Sequence, residues 1–265
     1  MRYSGIQPQY FPRLHYFARA LNTDLFVLRD EVQFVVRHKY PDGRNGPSFQ
    51  AHTPIKTSSG LFLLNISTIH QGLVPINQTQ IAYNHAWVHK HLKTIRMAYS
   101  KSPNFSKIFS DIEKLLNNRY QLSQISIQSF LFGLNFLLGN PLKLNQLSIE
   151  NINKLLKKTK NIRLKKILLA SKIKQLQNKN LTASEKILTI IKAIGADEDY
   201  TGGTAFQAYM DESLFEENNI NVIVQDWKCQ EYPQLFPKLP FIPNLSIIDL
   251  MMNVSGSQAL GIIKG

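Results

Sequence analysis

YSGIQ (residues 3–7), FPRLHYFARAL (residues 11–21) and DLFVL (residues 24–28) are the stretches that decide the fold. The first and third are short and apolar, of a length that suits a buried strand better than a helix. Between them Phe11, Leu14, Phe17, Ala18 and Leu21 recur at the three-to-four-residue spacing of one helix face. Strand, helix and strand in about 25 residues make a compact β-α-β unit, and such a crossover joins parallel strands. Residues 3–7 and 24–28 are therefore predicted to be neighbours in a parallel sheet.

Outward from this unit the pattern predicts further strands at 32–36, 62–67, 80–82, 165–170 and 221–225, and a strand end at 197–200. PDGRNGP (41–47) is a turn-rich loop. Residues 86–99 form a helix with Trp87, His91, Ile95 and Ala98 along one face. Residues 105–116 and 122–138 form two more, closed by Gly139-Asn140-Pro141. Thr182 and Glu185 have capping-box spacing at the start of a helix to Ile194, and Gly195 fits its C-terminal cap. Further helices are expected at 204–217 and 246–254, and the Pro-rich segment 233–243 is irregular. Strands alternating with helices predict one α/β domain over residues 1–265, with a mainly parallel twisted sheet flanked by helices. The consecutive helices in the middle predict a helical insertion or cap over about residues 100–160.

Composition narrows the function classes. Hydrophobic residues make up 43% of the 265, enough for a sizeable core, and charged residues only 18%, below the roughly 25% of an average globular chain. One cysteine, Cys229, leaves no intrachain disulfide, which points to a reducing compartment. MRYSGIQPQYF has no apolar run of signal-peptide length, and apolar stretches such as 129–139 fall short of the roughly 20 residues of a spanning helix. A cytoplasmic protein without a membrane span is expected.

The net charge of +13 calls for an anionic partner. Residues 151–179 carry ten Lys and Arg and no acid, and no aromatic residue lies between Phe136 and Tyr200. Single-stranded nucleic-acid sites combine basic groups with stacking aromatics, so nucleic acid is not the expected partner. The run is either a solvated basic face or a dock for an acidic partner.

Chemistry-bearing residues gather near the expected strand ends. Gln7 and Gln9 follow the first strand, and Asp30, Glu31 and Gln33 follow the second. In a parallel sheet both sets lie at carboxyl ends, where ligands bind, and amides with carboxylates suit a sugar hydroxyl, a ribose or an amine. His91, on the helix at 86–99, supplies a group that titrates near neutrality and can act as a general base. Gly202-Gly203 before the helix at 204–217 can expose backbone amides to an anion. His85 and His89 share a helix face, but no acid accompanies them, and no metal site is expected.

An ordered set of motifs runs nearly the length of the chain. It begins with Gly5-Ile-Gln7-Pro8-Gln9-Tyr-Phe-Pro12, Tyr16-Phe17, Asp24-Leu-Phe-Val27 and Asp30-Glu-Val-Gln33-Phe34, then Ile55-Lys56 with Gly60. Trp87, Lys90, His91 and Ala98-Tyr99 follow on a helix, and then Tyr200-Thr-Gly202-Gly203. Tyr232-Pro233-Gln234, Pro243, Leu245-Ser246, Asp249-Leu250, Asn253 and Gly256 close the set. In this order the motifs resemble those of the WbqC-like family of bacterial surface-polysaccharide gene clusters. The chain departs from the family at His52-Thr53, where Arg-Asn is usual, and in the PDGRNGP insertion just before.

The resemblance implies work on a nucleotide-sugar, or attachment of an acyl or aminoacyl group to an amino or hydroxyl sugar. In that scheme His91 or Asp30 deprotonates the acceptor, and Gln7, Gln9, Glu31 and Gln33 orient it. The matched positions extend the expected substrate contacts to Lys56, Lys90, Gly202, Gly203, Gln234, Ser246, Asp249 and Asn253, with His52 at the departing position. The basic run would dock an acidic acyl carrier protein or hold a phosphate. No cofactor is implied. The other class is a non-catalytic protein that binds a sugar-nucleotide or a carrier; a nucleic-acid role rests on charge alone.

Overall fold

The structure, a computed structural model, describes residues 1–39, 43, 45–177, 180–203, 206–207 and 210–265. The middle of the PDGRNGP loop, Lys179 at the end of the basic run and part of the helix expected at 204–217 lie outside the described residues. The chain begins β1 (Arg2–Ile6), α1 (Leu14–Leu21), β2 (Leu25–Leu28), β3 (Arg37–Lys39), β4 (Asn45–Pro47), β5 (His52–Thr57) and β6 (Gly60–Asn65). Then come α2 (Trp87–Tyr99), α3 (Phe105–Leu116), α4 (Leu122–Leu137), α5 (Ile149–Leu156), β7 (Lys166–Leu169), α6 (Ala183–Ile194) and β8 (Glu198–Thr201). It ends with α7 (Glu212–Glu217), β9 (Asn221–Val224), α8 (Ile247–Asn253) and α9 (Gly256–Lys264).

Two compact units account for these elements. The first is Met1–Gln7, Ala18–Val32 and Ile149–Trp227; the second is Pro8–Phe17, Gln33–Ser148 and Lys228–Gly265. The stretch expected as a helical insertion divides after Ser148, with α3 and α4 in the second unit and α5 in the first.

The first unit holds a five-stranded sheet of order β7-β2-β1-β8-β9, parallel at every described pairing. Tyr3 pairs with Leu25 and Ile6 with Leu28, as the opening β-α-β unit predicts. Tyr3 and Val27 bury against Ile187, Leu188, Ile190 and Ile191 of α6 and Phe215 of α7. At about 1.5–3 kcal/mol for each large apolar side chain removed from water, this contact is a main source of the unit's stability. Helix α6 starts where the capping box predicts: Thr182 Oγ1 accepts from the Glu185 amide at 3.2 Å and Glu185 Oε2 from the Thr182 amide at 2.7 Å. It ends at Gly195, left-handed at φ 69°.

Strand β7 is at the edge of the sheet, where unpaired backbone groups invite pairing with another chain. Asn153 on α5 blunts that edge: its Nδ2 donates to Ile167 O at 2.9 Å and its Oδ1 accepts from Ile167 N at 2.8 Å. Arg163, inside the basic run, is part of the fold too. Its guanidinium pairs with Asp24 at 2.9 Å, ahead of β2.

The second unit contains two antiparallel pairs, β3–β4 and β5–β6, with α2, α3, α4, α8 and α9. Helix α4 is buried along most of its length, and every residue of α8 is buried. Gly133 of α4 is where Phe17 and Ile247 close in: a Cβ there would stand 2.7 Å from Phe17 Cζ and 2.9 Å from Ile247 Cγ1.

Several expected elements differ. Residues 32–36 are not a strand. The Phe34 amide donates to Val74 O and the Val35 amide to Gln50 Oε1, so β-branched content found loop and side-chain partners instead of a ladder. Residues 80–82 contribute a single bridge, Thr68 to Ile81. Strand β5 was hidden by Pro54, which is tolerated because a two-stranded sheet has only edges. Helix α9 was also missed, although Ser255 and Gln258 form a capping box; Gly256 and Gly261 mask its periodicity. Among the described residues no helix is long and apolar enough to cross a membrane.

Candidate functional site

The order of the first unit's sheet creates one special place. From β1 the chain winds to β2 on one side, while β8 and β9 lie on the other. Between β1 and β8 the winding reverses, and at such a switch point loops diverge and leave a crevice at the carboxyl ends of the strands. Gln7 follows β1, Arg29, Asp30 and Glu31 follow β2, Gly202 and Gly203 follow β8, and Gln225 follows β9.

Packing under this end is built around two glycines. A Cβ on Gly5 would meet the Tyr3 hydroxyl at 2.0 Å, and one on Gly202 would meet Arg19 Nη2 at 2.3 Å. Gly5 thus lets the Tyr3 ring fold along β1, and Gly202 lets the Arg19 guanidinium press on the backbone. Arg19 Nε donates to Gln225 Oε1 at 2.8 Å. Arg29 pairs with Glu31 through Nε and Oε1.

Asp199 sits on β8 opposite Tyr3 and is 2% exposed. Burial lifts its carboxyl to about 7, against the pull of Arg19 and Arg29, which favour the charged form. Tyr3 is pushed well above the usual phenol range, chiefly by burial. A carboxyl group that titrates near neutrality can accept a proton from an amine or hydroxyl.

The expected site residues divide between the units. Gln7, Asp30, Glu31, Gly202 and Gly203 belong to the first, and the sheet brings them to one end. Gln9, Gln33, His52, Lys56, Lys90, His91, Gln234, Ser246, Asp249 and Asn253 belong to the second. Asp30 is occupied: Oδ1 accepts from the Ser171 amide at 2.9 Å and Oδ2 from the Ser171 hydroxyl at 2.7 Å, tying the end of β2 to the turn after β7.

His91 is buried with both nitrogens engaged. Nε2 is 2.9 Å from Asn65 O, which only accepts, and Nδ1 is 3.1 Å from the Tyr10 hydroxyl. Donation to the carbonyl therefore leaves Nδ1 as the acceptor of the Tyr10 proton. Burial pulls the ring to about 4, so it is neutral at pH 7. His52 is likewise pulled to about 4 by burial, with Nδ1 2.7 Å from Ser48 O.

The family-pattern residues of the second unit converge on Asp249. Its oxygens accept from the Tyr99 hydroxyl at 2.7 Å and the Tyr232 hydroxyl at 2.8 Å. Asn253 Nδ2 approaches Oδ1 at 3.5 Å. Burial raises Asp249 to about 6, while these donors and the Lys56 ammonium favour its charge. Lys56 is 2% exposed, its ammonium 3.5 Å from Leu239 O. Gln234 braces the Pro-rich segment through both the amide and the carbonyl of Ile242, and Ser246 caps α8. Gln9 is buried, and Gln33 and Lys90 are exposed.

Asp199, Arg19, Arg29, Tyr3 and Gln225 were missed from sequence. The available signal was Asp199 itself, an acid inside a strand whose neighbour Tyr200 is apolar in character; a buried strand carries such a charge only at a cost. Tyr99 and Tyr232 stood in the family motifs, yet only the fold brings both to one carboxylate. Among the described residues no group of three His, Cys, Asp or Glu is placed to hold a metal ion.

The strand order defines an α/β protein whose parallel sheet has a switch point between β1 and β8. The chain belongs to the WbqC-like protein family, whose family model matches residues 7–260. Neither the curated proteins nor the solved structures yield a match.

Proposed function

We propose that this WbqC-like protein is a transferase. It attaches an acyl or aminoacyl group to an amino or hydroxyl group of an acceptor such as a nucleotide-sugar, from a carrier-protein thioester. The observation that carries the proposal is Asp199, a carboxylate buried within β8, one of the two strands that flank the switch point, and lifted by burial to about 7. The acceptor nitrogen or oxygen bonds to the acyl carbon, its proton passes to Asp199, and the carbon–sulfur bond breaks. The departing thiolate then takes up a proton. Arg19 and Arg29 balance charge beside the base, Gln7 and Glu31 orient the acceptor, and Gly203, with only Val224 near it among the described residues, leaves room for its approach.

Asp199 takes the base's part here in preference to His91 and Asp30. His91 is neutral with both ring nitrogens engaged, and both Asp30 oxygens accept from Ser171. These same engagements favour the second reading, a protein that binds a sugar-nucleotide without chemistry.

One experiment separates the two. The protein is incubated with a UDP-linked amino sugar and acetyl or aminoacyl thioesters of a carrier protein, and products are followed by mass spectrometry. Transfer appears as the mass of one acyl group on the acceptor and is lost in Asp199→Asn. Acceptor retained on the protein, with no mass gain from any thioester, refutes the transferase.

A further inference from the structure

The basic run is continuous in sequence but divided by the sheet. Strand β7 runs parallel to β2, so residues before it and after it lie at opposite ends of the sheet. Lys157, Lys158, Lys160, Lys165 and Lys166, all exposed, precede or open β7 at the amino end. Lys172 and Lys174, also exposed, follow β7 at the carboxyl end, the end where Gly202 and Gly203 follow β8.

The segment that bears Lys172 and Lys174 is held in place. It consists of two short 3₁₀ turns, Ala170–Lys172 and Lys174–Gln177. Ala170, Ile173 and Leu176 recur every third residue, the period of a 3₁₀ turn, and they pack into the core beneath α6. The two lysines between these anchors point outward. Asp30 fastens the same turn through the Ser171 amide and hydroxyl. An ammonium on a fixed rim is a compact point charge suited to phosphate.

We propose that Lys172 and Lys174, at the carboxyl end of β7 beside β2, form an anion clamp that takes the diphosphate of a nucleotide-linked acceptor, and that Asp30 is a positioning residue that sets the clamp through Ser171. The inference rests on the transferase reading for the identity of the acceptor and deepens it. It assigns no role in the clamp to the five lysines at the amino end. The occupied carboxylate of Asp30 thereby acquires a function one residue removed from the ligand.

The test uses the full chain and binding rather than turnover. Dissociation constants for UDP and for uridine are measured by calorimetry for the native protein, Lys172→Glu/Lys174→Glu and Lys157→Glu/Lys158→Glu. The two double variants change net charge equally, so they separate position from total charge. The expected result is UDP binding weakened about tenfold or more by the rim pair, less so at high salt, since exposed charges are screened within about 10 Å at 0.1 M. Uridine binding stays unchanged, and the amino-end pair leaves both ligands unaffected. Asp30→Ala weakens UDP as the rim pair does, and Asp30→Asn, which still accepts from the Ser171 amide, restores most of the affinity.

Equal weakening by both lysine pairs, no effect of the rim pair, or no UDP binding by the native protein overturns the clamp. If transfer to a UDP-sugar persists while the rim pair has no effect on UDP, the clamp fails and the transferase stands. If UDP binding depends on Lys172 and Lys174 but no thioester supports transfer, the transferase fails and the clamp stands.

Discussion

Replacing Asp199 by Asn removes a charge and little else, because Asn has nearly the shape of the protonated acid. Burial raises this carboxyl from its ordinary 3.8 to about 7, and each tenfold in proton affinity corresponds to about 1.36 kcal/mol. The charged form therefore costs the folded protein about 4 kcal/mol at alkaline pH, an order-of-magnitude ceiling. The sign follows from linkage. A folded-state pKa raised above the unfolded value gives a contribution fully present below about 3.8 and lost as the pH rises through about 7. Asp199→Asn should thus unfold at higher urea than the native protein at pH 8, by as much as ~4 kcal/mol. The difference should shrink as the pH falls through 7 and vanish near 4. The same variant should lose transfer by about 100-fold or more, the low end for a general base. A carboxylate that costs stability and is needed for activity is what a functional site retains. Equal stability of the two proteins at pH 8, or a less stable variant, would instead make Asp199 a structural counter-ion for Arg19 and Arg29.

Three further outcomes are expected. His91 and His52, both drawn down to about 4 from 6.5, contribute stability that is full above pH 6.5 and lost as the pH falls through 4. His91→Gln should therefore lose about 3 kcal/mol less than the native protein between pH 7 and pH 4 in urea titrations; identical losses would contradict the buried neutral ring. Gly133→Ala gains helix propensity worth up to about 1 kcal/mol but puts a methyl against Phe17 and Ile247. The net should be a loss of about 1–2 kcal/mol, and a raised melting temperature would show that the two side chains yield freely. Asn153→Ala uncovers the Ile167 amide and carbonyl on the sheet edge, so it should cost about 1–3 kcal/mol and increase self-association in sedimentation, both absent if water serves the edge equally well.

Much of the fold was legible in the chain because local rules acted without opposition. Alternation of short apolar runs with one helical face determined β1, α1 and β2 and their parallel pairing. The Thr182–Glu185 box and Gly195 marked both ends of α6, and Ser246 marked the start of α8. Where β-branched residues had no ladder to join, as at 32–36, propensity misled. Where Pro54 lay on an edge, the usual penalty was absent and a strand was overlooked.

For the site, sequence determined which residue types stand at the carboxyl ends: Gln7, Asp30, Glu31 and Gly202-Gly203 follow from strand order and loop position alone. Occupancy was decided only by the tertiary structure. Whether an acid is poised or spent depends on which groups from distant segments reach it and how much water remains. Ser171, some 140 positions along the chain, occupies Asp30; Tyr10 and Asn65 occupy His91. Asp199, inconspicuous in Asp-Glu-Asp-Tyr, becomes the poised carboxylate because β8 sets it beside Tyr3, Arg19 and Arg29, in a place too dry to favour its charge.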